Sequence, residues 1–268
     1  MIFTIDRGNL ELYTAILITL FAWWMNDPSP LRRNLAVAAV GAAAALKIYP
    51  LIFVLIYLKQ RRWRAALGAV FFAAVLSLAG FLLLDGGLVR NVIAHWHLVQ
   101  ALAKHNSEDI AWATHYSSSL FSLIYLSLRA VFHRANAAQW FQFHSAPFLW
   151  SFAVLVAVIL LLRRLSFARL LLGVCGLAIL AAPESPDYKL LLLYPAAIAV
   201  IAEGGGTRIF NLLFVAFMGL LLVPKNWILI FADVSYSSIF NPLLVLGLLA
   251  LAVAAPAPNA GSADARSN

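Results

Sequence analysis

Apolar residues along this chain come in long unbroken runs, separated by short polar or basic breaks. A helix rises about 1.5 Å per residue, so about 20 apolar residues cross the hydrocarbon of a bilayer. Runs at 9–25, 34–45, 50–58, 65–84, 147–162, 167–182, 190–202, 209–223 and 239–255 reach that length or a fraction of it. They are rich in Leu, Ala and Val without period-two alternation, which argues against a barrel. Backbone groups in lipid must be satisfied internally, and helices do this within one segment. The pattern predicts an all-α fold: a polytopic transmembrane helix bundle over residues 1–255 with about nine spans or half-spans. Residues 85–145 read as an outer-face segment. Within it, 87–102 is an amphipathic helix on the interface, with Trp96 at headgroup depth. Residues 117–132 read as a partly immersed helix, because Arg129 interrupts an apolar run. The tail, 256–268, is rich in Ala, Pro, Ser and Asn and is expected to be disordered on the cytoplasmic side. No cleavable signal peptide is visible, since the first ten residues lack a basic start followed by an apolar core.

The stretch 34–60 requires a choice. It is apolar, but Lys47 and Pro50 stand in its middle. One straight span would put Arg32 and Arg33 opposite the basic run 59–64. Proline removes a helix donor and drives the residue before it out of helical geometry. Two short helices folded at Lys47-Ile48-Tyr49-Pro50 put both basic clusters on one side, as the positive-inside rule favours. Neither half is long enough to cross alone, so both are expected inside the bundle.

Composition agrees. Of 268 residues, 63% are hydrophobic and 11% charged, too few polar side chains to coat a water-soluble fold of this length. The net charge of +8 sits in short runs between apolar segments, as in cytoplasmic loops, and these are too short to form a nucleic-acid stripe. With Arg32, Arg33, 59–64, Arg163, Arg164 and Arg208 on the cytoplasmic side, the outer side holds Asp6, Glu11, Asp85, Glu108, Asp109, Glu184, Asp187 and Asp233. These are eight of the eleven carboxylates, so polar chemistry is expected on that face.

Candidate chemistry follows from this placement. Lys47 at the apex of an apolar hairpin needs a partner or water. It reads either as an ammonium for a lipid phosphate or as a snorkelling helix end. Just before the first run, Asp6 and Glu11 are proton acceptors, Arg7 is a phosphate clamp or a partner for Asp6, and Asn9 is a natural helix cap. Asp187, Tyr188 and Lys189 follow a Pro-Glu-Ser-Pro loop on the same face and read either as a substrate wall or as a helix cap. His115, ahead of Tyr116 and three serines, is the best histidine for substrate binding. His95 and His97, two apart on a helix, face different ways, and no metal site is expected. Cys175, the single cysteine, reads as a buried core residue. No phosphate-binding glycine loop or nucleophile elbow is present.

Three elements occur in order: DRGNLE at 6–11, GAAAALKIYPLIFVLIYLKQRRWRAA within 36–66, and SPDYKLLLLYP at 185–195. Together they resemble glycosyltransferase family 87, bacterial polyprenyl-phosphate-dependent membrane mannosyltransferases and relatives of the C-type fold. The resemblance implies transfer of mannose or another hexose from a polyprenyl-phosphate sugar to a lipid or glycan acceptor at the outer face of the bacterial inner membrane, with no cofactor. Asp6, Glu11 and Asp187 are then candidate catalytic carboxylates. Arg7, Lys47, Tyr49 and Lys189 are candidates for the donor phosphate, and Asn9, His115 and Tyr188 for substrate. Such chains are commonly longer, with a catalytic carboxylate in an outer loop after a first span. The chain therefore resembles the C-terminal part of the fold, and the main base is expected upstream of Met1 or on a partner membrane chain. Two other readings fit the residues: a lipid or solute transporter or flippase, since broken helices with ionisable residues suit transport, and a non-catalytic membrane subunit.

Overall fold

The computed structural model of the chain describes residues 10–108, 117–182, 187–204, 206–223, 229–231 and 234–254. Eleven α-helices carry the described fold: α1 Glu11–Trp24, α2 Pro30–Leu46, α3 Val54–Lys59, α4 Trp63–Leu83, α5 Gly87–Glu108, α6 Leu120–Leu126, α7 Ala135–Leu162, α8 Phe167–Leu180, α9 Leu193–Ala202, α10 Arg208–Leu222 and α11 Ser237–Ala254. Short 3₁₀ segments, Tyr49–Phe53 and Asp187–Leu192, lead into α3 and α9. A π turn, Ser127–Val131, follows α6. Two short antiparallel strands, β1 Leu229–Phe231 and β2 Val234–Ser235, precede α11.

Three of these helices, α4, α7 and α11, are long and apolar enough to cross a membrane. Shorter apolar helices, α1, α8, α9 and α10 among them, accompany these. Helix α8 lies at its centre: every residue from Ala168 to Leu180 is buried. A helix that is apolar all round belongs inside. It packs against α7, α9 and α11 and against the 49–59 segment. Helix α4 is the opposite case, with Leu67, Phe71, Leu82 and Leu83 exposed. Exposed apolar faces of this extent belong against lipid.

The break at Lys47 is present. Helix α2 ends at Leu46 and Lys47 is extended, with φ −151° and ψ 133°. Pro50 opens the 3₁₀ turn, where its missing N–H leaves no helix bond unmade. The two halves return to one end. Arg33 and Asn34 from the start of α2 share a cleft with Arg61, Arg62 and Arg64 after α3. At the same end Lys59 Nζ donates to the carbonyls of Leu161 and Arg163, tying α3 to the end of α7. Glu203 Oε1 accepts from the Ala168 N–H at 2.8 Å, joining the start of α8 to the end of α9. The basic runs of the sequence thus gather at one end of the bundle. Lys59→Met is expected to lower stability by roughly 2 kcal/mol, since hydrogen bonds to a charged group contribute about that much. Chemical denaturation in detergent checks this, and an unchanged midpoint would count against the tie.

Two boundaries differ from the sequence pattern. Helix α2 starts at Pro30, so Arg32 and Arg33 stand in its first turn and not in a loop. Proline suits the first helical position, and Asp27 anchors the entry by accepting from the Ser29 N–H at 2.8 Å and from Arg32 at 2.9 Å. The Ser29 N–H, then Arg32, hold the Asp27 carboxyl below the usual range. Helix α7 starts at Ala135 and runs through Pro147. In the turn before Pro147, the Ser145 hydroxyl meets the Gln142 carbonyl at 3.2 Å and His144 Nδ1 meets the Trp140 carbonyl at 2.8 Å.

Helices α2 and α4 touch closely at Gly41. A Cβ there would stand 2.9 Å from the Ala69 carbonyl oxygen and 2.9 Å from Phe72. Gly41→Leu is expected to destabilise the bundle by about 1–3 kcal/mol, because backbone cannot move aside as a side-chain tip can. A melting temperature equal to the parent's would contradict this packing.

Candidate functional site

The end of the bundle opposite the arginines carries a buried charged centre. Glu11 sits in the first turn of α1, where the helix dipole favours an anion. It is 1% exposed. A buried carboxylate without partners would be very costly, and both its oxygens are engaged. Lys47 Nζ donates to Oε1 at 2.9 Å. The Tyr49 hydroxyl donates to Oε2. Lys189, from the 3₁₀ turn before α9, places its ammonium 4.9 Å from the centre of the Tyr49 ring. That is cation–π distance. Tyr49 therefore links the Glu11–Lys47 pair to the second lysine.

The elements explain the meeting. Helix α1 packs on α2, on the 187–192 turn and on α9. Because α2 stops at Leu46, Lys47 and Tyr49 reach the start of α1. Lys189 is buried and Lys47 keeps part of its side chain open, 29% exposed. One carboxylate and two ammonium groups leave these described charges with a net of one positive. The low-dielectric surroundings strengthen the attractions among these charges.

Of the residues singled out in the sequence, Glu11, Lys47, Tyr49 and Lys189 come together. Asp187 and Tyr188 share the backbone turn of Lys189. Asp6, Arg7, Asn9 and His115 lie outside the described residues. Among the described residues, no group of three or more His, Cys, Asp or Glu side chains is arranged to hold a metal. Cys175 is buried in α8.

The sequence reading passed over a second buried polar patch. Ser117, Ser118, Ser119 and Ser122 are buried around the start of α6, where Ser119 caps the helix by accepting from the Ser122 N–H at 3.1 Å. Ser235, Ser237, Ser238 and Asn241 are buried at the start of α11, which packs on α6. The serine run after Tyr116 was the visible signal. Arg169 was also passed over. It is buried in α8 with its guanidinium 4.9 Å from the Phe210 ring centre. A lone cation in the apolar run 167–180 was its signal.

The model of glycosyltransferase family 87 matches residues 1–183, more than half of the chain and including Glu11, Lys47 and Tyr49. The chain belongs to glycosyltransferase family 87. Its membership implies glycosyl transfer, hence a sugar donor and an acceptor. Lys189 and the 185–195 segment lie beyond the matched residues. No curated protein and no solved structure matches the chain.

Proposed function

We propose that this family 87 chain moves mannose or another hexose from a polyprenyl-phosphate sugar to a lipid or glycan acceptor at the outer face of a bacterial inner membrane. In this reading all nine apolar segments of the sequence are spans or half-spans, and the arginine-rich end faces the cytoplasm. The observation that carries the reading is the Glu11–Lys47–Tyr49–Lys189 centre at the opposite end, which gathers a carboxylate and two ammonium groups around one tyrosine.

The residues divide the work. Lys47 and Lys189 hold the donor phosphate, with Arg7 close to Glu11 in the chain as a third cation. Glu11, already engaged by Lys47 and Tyr49, positions these two groups. Asp6 or Asp187 then takes the proton of the acceptor hydroxyl. That oxygen attacks the anomeric carbon. The bond from this carbon to the phosphate oxygen breaks, and its electron pair leaves with polyprenyl phosphate, whose charge the lysines stabilise. Asn9, Tyr188 and His115 contact sugar or acceptor.

The test is incubation of the purified chain with a synthetic polyprenyl-phosphate mannose and membrane lipid extract. Release of polyprenyl phosphate coupled to a mannosylated product is expected by mass spectrometry. Donor that persists unchanged with this and other hexoses, while nucleotide-sugar donors are consumed, would overturn the proposal.

A further inference from the structure

At the basic end, between the starts of α2 and α4, lies a cleft of about 750 Å³. Arg33, Arg61, Arg62 and Arg64 line it, together with Tyr57 and Trp63. No carboxylate is among the described residues lining it. Arg62 is held by donating to the Met25 carbonyl at 2.5 Å, which fixes one wall.

Two independent features of the cleft ask for a ligand. The first is Tyr57, which lines the cleft, is 2% exposed and has no hydrogen-bond partner for its hydroxyl among the described residues. A buried hydroxyl left unpaired is destabilising and rare. The second is Arg61. The end of α3 closes with the Arg62 N–H on the Tyr57 carbonyl at 2.9 Å and the Arg61 N–H on the Leu58 carbonyl at 3.0 Å. This pair of bonds is the Schellman closure, whose left-handed residue is usually glycine. Here it is Arg61, at φ 58°. Strained backbone of this kind concentrates where a side chain has a job. The left-handed turn holds an arginine at the cleft where glycine would close the helix with less strain.

The surface beside the cleft is apolar. Trp63, Leu67 and Phe71 follow at successive turns of α4 and are 60%, 69% and 71% exposed. Residues four apart share a helix face. A cationic pocket continuous with an exposed apolar stripe matches a molecule with an anionic head and hydrocarbon chains. Basic pockets between membrane helices on the cytoplasmic side bind such headgroups.

We propose that this cleft is a site for an anionic phospholipid. The arginines receive the phosphate oxygens, the Tyr57 hydroxyl donates to one of them, and the acyl chains lie along Trp63, Leu67 and Phe71. The site is at the other end of the bundle from Glu11 and Lys47, so it is separate from the donor centre and its test does not use transfer.

Native mass spectrometry of the full chain in detergent tests it, with phosphatidylglycerol, phosphatidylcholine and inorganic phosphate as probes. Phosphatidylglycerol is expected to bind at least about tenfold more tightly than phosphatidylcholine, and inorganic phosphate not measurably. Arg61→Gly is expected to remove this preference while keeping or raising the melting temperature, since glycine fits the left-handed turn. Tyr57→Phe is expected to weaken the anionic lipid without loss of fold. An intact preference in Arg61→Gly overturns the proposal. So does equal binding of phosphatidylcholine. Inorganic phosphate binding as well as the lipid would also overturn it, in favour of a soluble anion.

Discussion

Glu11→Ala is expected to destabilise the bundle by roughly 3–5 kcal/mol, the usual result of removing one partner from a buried ion pair. The alanine leaves Lys47 at the apex of its break without the carboxylate 2.9 Å away, and it frees the Tyr49 hydroxyl. Glu11→Gln should lose less, because an amide oxygen still accepts from either donor. The double variant Glu11→Gln/Lys47→Met should recover much of the stability, since neither member is left as a buried charge. A double-mutant cycle on melting in detergent would measure the coupling. Additive losses from the two single variants would mean that the pair contributes nothing to the fold.

The second large effect is on the chemistry. In the Glu11→Gln/Lys47→Met background, a folded protein is expected to transfer sugar about 10²–10³-fold more slowly, the size of effect seen when one oxyanion donor is removed. The same loss is expected for Lys189→Met, with a smaller one for Tyr49→Phe, which keeps the ring under the Lys189 ammonium. The deficit should fall on kcat if the lysines act on the departing phosphate in the transition state, and on KM if they only dock the donor. Full activity in the folded double variant would assign Lys47 to structure alone.

The fold was legible where polarity and proline interrupted the apolar runs. Lys47 and Pro50 announced a break inside 34–60, and the structure has it. The same reasoning stopped short at Pro30, where proline opens a helix, and at Pro147, where α7 continues through it. A proline in the sequence does not say whether a helix opens at it, breaks at it or carries on through it. Of the candidate site, the apolar runs placed Glu11 and Lys47 at the same outer end, but their pairing at 2.9 Å was not foreseen. Nor was the contact of Lys189 with Tyr49, because it depends on α1 packing against both segments. Arg61 in the left-handed turn had no sequence signal at all: the position favours glycine, and only the backbone reveals that an arginine fills it.

The most direct measurement compares the affinity of the purified chain for a polyprenyl-phosphate sugar and for the matching polyprenol, in the parent and in Glu11→Gln/Lys47→Met. A centre that holds the phosphate gives the parent a preference of at least about tenfold for the phosphorylated lipid, and the double variant loses it while its fold is kept. Equal affinity for the two lipids in the parent, or an undiminished preference in the folded double variant, would contradict the account.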